Sequence, residues 1–340
     1  MNVSFDLIIC TYNHADLLDR VLETIARQKP SGVEWGVLVV NNNCSDHTAT
    51  IVDKHLQAAT IPNLSQIIEP QQGLNHARRC GIKNTTGDWI AFIDDDCLLA
   101  VDWLEQAVRF AQQYPDCSAF GGRVSLEWSS PPKPFVREYG YCFAQQEQGR
   151  KAKTVSCLVG AGMVINRRTL LATNWLKKQY LNDRVGQKLI SGGDVELALR
   201  LSAVAELWYN PLCQINHFIP AQRTQFKYLY RINYGLGISQ IFGDALLWSD
   251  SELDWLLTTS KKAIAATKKV LFTAIKAMLG RGSKPKAMIN ACFVLGKWNG
   301  IVRISLMLPK RRGAILGCAA SCSESLGIET AISTAVETRP

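Results

Sequence analysis

The sequence predicts an α/β fold: a mostly parallel central sheet with helices on both faces, followed by a C-terminal helical extension. Two observations carry the first part. Short β-branched or aromatic runs recur through the first 120 residues, and segments of helical periodicity separate most of them. The third observation is a charge asymmetry. The 340-residue chain has a formal net charge of +9, yet residues 1–250 hold 24 basic and 24 acidic side chains, while 251–312 hold 13 against 2. With 47% hydrophobic and 20% charged residues, disorder, collagen and a bare coiled coil are excluded.

Taken in order, the strand runs are Phe5–Cys10, Trp35–Val40, Ser65–Glu69, Trp89–Ile93 and Ala119–Gly122. Leu17, Leu18, Val21, Leu22 and Ile25 make one apolar helix face, and Trp103, Leu104, Ala107, Val108 and Ala111 make another. Such alternation buries a parallel sheet on both sides, and ligands then bind beyond the carboxyl ends of the strands. A Pro-rich break at 129–134 precedes a small-residue run, Val155–Ile165, containing Gly160-Ala161-Gly162. A helix is expected from about Asp194, a strand over Glu206–Tyr209 with Asn216-His217-Phe218 after it, and helices from about 224. The expected units are 1–245, 246–312 as a basic amphipathic extension, and 313–340 as a flexible tail.

Eleven cysteines, with no CxxC pair and most of them in apolar runs, fit buried thiols in a reducing cytosol. No signal peptide is expected, because Met1–Asp6 enters a strand-like run directly. The longest candidate span, Ala287–Leu308, is interrupted by Lys297 and Arg303.

Chemistry is sought at the strand ends. Asp94-Asp95-Asp96 follows a wholly apolar strand, and carboxylates so placed repel one another unless a cation neutralises them. Asp94 and Asp96 can converge on one Mg²⁺ or Mn²⁺, a hard ion that draws further ligands from phosphates. Thr11, Tyr12 and Asn13 end the first strand; Asn42 and Asp46 follow the second; and Asn75 and Arg78 open a helix after Gly73. A nucleoside diphosphate would suit this joint placement. Each loop alone reads equally well as an ordinary solvated turn. Neither G-x-G-x-x-G after the first strand nor G-x-x-x-x-G-K-[ST] is present. A nucleic-acid partner is not expected, because the main domain is neutral.

Ile-Ile-Cys-Thr-Tyr-Asn (8–13), Val-Val-Asn-Asn-Asn-Cys-Ser-Asp (39–46), Gly-Leu-Asn-His-Ala-Arg (73–78) and Gly-Asp-Trp-Ile-Ala-Phe-Ile-Asp-Asp-Asp (87–96), in that order, resemble family 2 glycosyltransferases. The stretches 158–167, 189–196 and 216–220 are similar to cyanobacterial hormogonium polysaccharide glycosyltransferases of the HpsE type. The resemblance implies a GT-A fold over about 4–240 and inverting, metal-dependent transfer from a nucleotide-diphosphate sugar, a UDP-sugar by default. It assigns Asp94 and Asp96 to the metal and the diphosphate, Asp95 to the donor sugar, Thr11 and Asp46 to the nucleotide, and Asp194 to the base that deprotonates the acceptor. Glu196 is a second candidate base, and His217 a further metal ligand. Gly193 stands where the family has Glu, and Asn42-Asn43-Cys44 where many members have Asp-Asp or Asp-Asn-Gly. The QxxRW motif of processive synthases is missing after 217, which implies one sugar per encounter.

In the basic stretch, Ile264, Leu271, Ile275 and Met278 share a helix face flanked by Lys261, Lys262, Lys268, Lys269 and Lys276. This composition suits a helix lying on an anionic membrane surface, and equally a helix packed on the main domain. The expected setting is cytoplasmic, peripheral on the inner face of the plasma membrane, with a saccharide or lipid-linked acceptor. A catalytically silent scaffold of the same fold is the alternative reading.

Overall fold

The computed structural model describes residues 3–181 and 192–319. The first half alternates strictly: β1 (Ser4–Thr11), α1 (Ala15–Ile25), β2 (Glu34–Asn41), α2 (Thr48–Ala58), β3 (Leu64–Ile68), α3 (Leu74–Lys83) and β4 (Trp89–Asp94). A three-residue strand, β5 (Cys97–Leu99), comes next, followed by α4 (Trp103–Gln113) and β6 (Ala119–Trp128). After a 3-10 segment over Pro134–Phe143 come β7 (Lys153–Val155), β8 (Met163–Asn166), α5 (Arg167–Ala172), α6 (Gly193–Ser202) and β9 (Leu207–Ile219). A short 3-10 turn, Ala221–Thr224, leads into α7 (Phe226–Leu246), α8 (Glu252–Met278), α9 (Lys284–Ser305) and α10 (Pro309–Ile315).

The sheet order is β3-β2-β1-β4-β8-β6-β9-β5, with β7 also paired to β9. The strands from β3 to β4 are parallel, as expected. Beyond β4 the sheet is mixed: β8 is antiparallel to both β4 and β6, and β5 is antiparallel to β9. Successive side chains point to opposite faces, and because both faces are buried these segments read as continuous apolar runs. Phe5, Leu7 and Ile9 of β1 enter one core with Val37, Val39 and Ile93, beneath α1 and α4. Ile8 enters the opposite core with Leu38, Val40, Ile90 and Phe92, beneath α3 and α6.

Two segments differ from expectation. β9 runs to Ile219, so His217 lies within the strand and not after it. The chain after the Asp triplet forms β5, with Cys97 opposite His217. Three residues carry too little periodicity to announce a strand. Their pairing with β9 is a tertiary contact.

α7 and α9 cross with their backbones almost touching. A Cβ added at Gly237 would stand 2.1 Å from the Phe293 carbonyl oxygen, and one at Gly296 would stand 2.1 Å from that of Tyr234. α8 packs on α9 as an outer layer. Of the tail expected over 313–340, residues 313–319 pack: Ile315 and Ala319 are buried, and the Ala319 N–H donates to the Leu246 carbonyl. The rest of that expected tail, 320–340, lies outside the described residues, as does the stretch 182–191. Among the described residues no helix is long and apolar enough to cross a membrane.

Candidate active site

The carboxyl ends of β1 and β4 open into a cavity of about 470 Å³, within the range of small-ligand sites. Its walls include Thr11, Tyr12, Asn42, Arg78, Asp94, Asp95, Asp96, Asp194 and His217. Residues from six separate expected motifs therefore meet in one place. α7 closes a side with Tyr228, Ile232 and Leu236, and the 3-10 segment closes another with Tyr141 and Phe143.

The three aspartates have different surroundings. Asp94 faces the cavity, with Arg78 Nη2 4.0 Å away. Burial raises its pKa to about 6, opposed by Arg78 and reinforced by the negative Asp96. Asp95 also lines the cavity, and its oxygens lie 3.1 and 3.2 Å from His14 Nδ1. That hydrogen bond and the Asp95 charge raise the His14 pKa. Asp96 is 5% exposed and is clamped from two sides. His217 Nε2 lies 3.2 Å from Oδ1, and Arg223 Nη1 donates to Oδ2 at 2.8 Å. Burial alone would raise the pKa of Asp96, but the two cations win and hold it well below the usual carboxylate range.

The His217 ring is oriented by its other nitrogen, which lies 2.7 Å from the Phe143 carbonyl oxygen. A carbonyl accepts only, so Nδ1 carries the proton and Nε2 is directed at Asp96, the arrangement typical of a metal-ligating histidine. Burial alone would lower the pKa of His217, yet the Asp96 and Asp94 charges raise it. The 3.2 Å between Nε2 and Oδ1 is close to the separation of about 3 Å between neighbouring ligands on an octahedral ion with 2.1 Å bonds. Asp96, Cys97 and His217 form a group whose ligand atoms lie within 4.8 Å of one another. Burial and the adjacent aspartates push the Cys97 thiol well up, so in the ion-free chain it is a neutral thiol beside Asp96. Asp94 is outside that group. The facing atoms of Asp96 and His217 are placed to hold a divalent cation, and Asp94 faces the adjoining cavity.

Other expected site residues have structural duties. The Asn42 amide donates to the carbonyls of Glu69 and Gln71 and accepts from Gly73 N–H, so both its N–H groups are used in shaping the loop before α3. Asp46 accepts from Ala15 N–H and from Thr48 N–H and Oγ1, tying together the starts of α1 and α2. Asn13, with φ +55°, accepts from Ser45 N–H. Asn75 donates to the Leu181 carbonyl. Asn13, Asp46 and Asn75 are not among the cavity walls. Thr11 Oγ1 is buried at the cavity with no hydrogen-bond partner among the described residues, a group that a polar ligand would satisfy.

Asp194 is the second residue of α6, so the helix N-cap is Gly192 and not Asp194. A Cβ on Gly160 would stand 3.0 Å from both Asp194 Cβ and Arg78 Nη2, so the 160–162 turn presses directly on these two side chains. Glu196 is fully buried, pairs with Arg200, and accepts the backbone N–H groups of Tyr180 and Leu181. It has no access to the cavity.

Sequence reading missed His14 and Arg223. His14 stands one residue beyond the Thr11-Tyr12-Asn13 motif. Arg223 lies in a segment inspected only for a motif it lacks. In both cases the signal is a long-range ion pair, over 81 and 127 residues, which no local pattern encodes.

A doubly wound half-sheet continued by a mixed half, with an acidic triplet, a histidine and arginines at its strand ends, is the architecture of a GT-A fold. Residues 6–172 match the family described as glycosyl transferase family 2. It is 23% identical to a glucosyl-dolichyl phosphate glucuronosyltransferase of Haloferax volcanii over 71% of this chain and 77% of that one. It is 28% identical to the glycosyltransferase AglE of the same organism, over 57% and 60%. Among solved structures it is similar to a mannosyltransferase of Pyrobaculum calidifontis in complex with GDP-Man and Mn²⁺, with TM-score 0.55, 19% identity, and 95% and 88% of the two chains covered. It is also similar to residues 1–349 of Staphylococcus aureus TarS in complex with UDP-GlcNAc, with TM-score 0.51, 13% identity, and 88% and 91% covered. These likenesses establish the GT-A fold.

Proposed function

We propose that this chain is an inverting, metal-dependent, non-processive glycosyltransferase. It moves one sugar from a nucleotide-diphosphate sugar to a hydroxyl of a saccharide or lipid-linked acceptor in cell-surface polysaccharide assembly, in the manner of the HpsE-type enzymes. The observation that carries the reading is the convergence of Asp94, Asp96, His217, Arg78 and Asp194 on one cavity. The relatives include a glucuronosyltransferase and a succinoglycan biosynthesis protein, ExoM of Rhizobium meliloti, which agrees with it. Residues 1–245 act as the transferase unit. The setting is the cytoplasmic face of a membrane, with peripheral contact through 251–312.

Asp194 takes the acceptor hydroxyl proton as the oxygen attacks the anomeric carbon from the face opposite the diphosphate. The bond from that carbon to the phosphate oxygen breaks, which inverts the centre. Arg78 faces the charge that gathers on the leaving diphosphate, and Asp95, held by His14, borders the sugar. A Mn²⁺ or Mg²⁺ held by Asp96 and His217, with Asp94 beside it, would supply further neutralisation of that charge. Tyr12, 42% exposed at the rim, offers a ring for the base, uracil by default.

A thermal-shift screen of UDP- and GDP-sugars with Mn²⁺ tests the proposal. A ligand at about a hundredfold its Kd stabilises by about 2.7 kcal/mol, an easily read shift. The shift is expected with a UDP-sugar and should vanish with chelator and in Asp94→Ala and Asp96→Ala. No shift with any nucleotide sugar in the presence of metal would overturn the proposal in favour of the silent scaffold.

A further inference from the structure

The structure assigns to the outward face of α8, continued by α9, the role of a docking surface for an anionic lipid bilayer. α8 has 27 residues, a rod about 40 Å long. Its inner side is narrow: Trp255, Thr259, Ala263 and Ala277 are buried. The opposite side carries Leu257, Ile264, Leu271 and Met278, at intervals of seven residues and 49%, 45%, 58% and 78% exposed. Leu253 and Ile275 fall on the same line. Two helical turns separate residues seven apart, so these side chains form one stripe along the rod. Met288, Leu295 and Val302 repeat the interval on α9 and are likewise exposed. Single exposed apolar residues are ordinary, but a continuous row along one helix is not.

The charge pattern selects the occupant. Lys261 and Lys268 border the α8 stripe, and Lys262, Lys269 and Lys276 form a second row at the same interval, all five exposed. No carboxylate among the described residues pairs with any of them. A protein partner able to neutralise these rows while filling the stripe would itself need rows of acid flanking apolar side chains. An anionic bilayer supplies both at once: acyl chains for the stripe and headgroup phosphates for the lysines. Among the described residues no helix is long and apolar enough to cross a membrane, so the contact proposed lies in the plane of the surface. α7 lends Tyr228, Ile232 and Leu236 to the cavity and packs on α9, with α8 as the next layer. The packed series α7, α9 and α8 therefore joins the cavity wall to the docking face. The biological meaning of this surface rests on the transferase reading, but its test does not.

The full chain is floated through a density gradient with vesicles of phosphatidylcholine alone, and with vesicles of equal parts phosphatidylcholine and phosphatidylglycerol, at low and high salt. Flotation is expected with the anionic vesicles and should weaken at high salt. The triple change Ile264→Glu, Leu271→Glu and Ile275→Glu, and separately Lys→Gln at 261, 262, 268, 269 and 276, should reduce the bound fraction at least tenfold. All these positions are exposed, so circular dichroism and the nucleotide-sugar thermal shift should match the parent chain. That second readout separates a failure of docking from a failure of the transferase reading. A chain that stays unbound with anionic vesicles, or variants that float as well as the parent, would overturn the inference. So would a dimer in sedimentation that the triple Glu variant splits while no vesicle binds, because a second copy would then be the occupant.

Discussion

Arg223 Nη1 donates to Asp96 Oδ2 at 2.8 Å, and thereby holds one oxygen of the carboxylate whose other oxygen faces His217. Arg223 thus supplies positive charge to the very group that would share a divalent cation with His217. Arg223 also lines the cavity, and because a guanidinium and a divalent cation on one carboxylate repel each other, a cation held by Asp96 and His217 would weaken the Arg223 contact.

Arg223→Met removes the competing charge. Mn²⁺ should bind about three- to tenfold more tightly without nucleotide, as read by paramagnetic resonance titration, because roughly 1 kcal/mol of like-charge repulsion is removed at a partly solvated site. The free protein should lose about 1–3 kcal/mol in denaturant unfolding, since Asp96 keeps only His217 as partner. Weaker Mn²⁺ binding would show that Arg223 supports the ion site instead of competing with it.

Gly160→Ala places a methyl group 3.0 Å from both Asp194 Cβ and Arg78 Nη2. One or both side chains must yield by a few tenths of an ångström. A loss of about 1 kcal/mol in stability is expected, with a fall of at least tenfold in kcat for sugar transfer, because small misplacements at a reacting centre are amplified. Unchanged kcat would place the reacting atoms away from this turn.

The two acids of α6 should separate cleanly. Glu196 is fully buried and neutralises Arg200 beneath the surface, whereas Asp194 opens on the cavity. Glu196→Gln should cost about 3–5 kcal/mol in urea unfolding, because it strands a buried guanidinium. Asp194→Asn should leave the unfolding midpoint within about 0.5 kcal/mol of the parent and lower transfer by at least a hundredfold. The reverse pattern would make Glu196 the base.

These contrasts show which parts of the molecule were legible in advance. β1, β2 and β4 were readable because they are buried on both faces, and uninterrupted apolar runs of that length have few alternatives. Asp94, Asp95 and Asp96 were readable because three acids after such a run are anomalous. Their division of labour was not, since it depends on His14, His217 and Arg223, which arrive through tertiary pairing. The same holds for β5, which exists because Cys97 pairs opposite His217. Asn42, Asp46 and Asn75 mark the opposite limit. Polar side chains at strand ends look alike in sequence whether they face a ligand or hold a loop, and the hydrogen bonds of these three hold loops.

Asp46 supplies the pH-dependent prediction. Burial would raise its pKa, but the hydroxyl and N–H of Thr48 and the N–H of Ala15 outweigh burial and lower it. A carboxylate whose folded pKa is depressed contributes stability that is fully present above its unfolded pKa, about 3.9, and is lost as pH falls through the lower folded value. The side chain is exposed, so the contribution lies at the low end for a helix cap, about 0.5–1 kcal/mol. Asp46→Asn should therefore lower stability by that amount at pH 7. The difference from the parent should narrow below pH 4, as the parent carboxylate takes up its proton and ceases to accept from both N–H groups. Unfolding curves of the two proteins at pH 7 and pH 3 measure it. A gap that stays constant across that range would mean that the bonds to Ala15 and Thr48 do not depend on the charge, and that an amide oxygen serves both helix starts as well as a carboxylate.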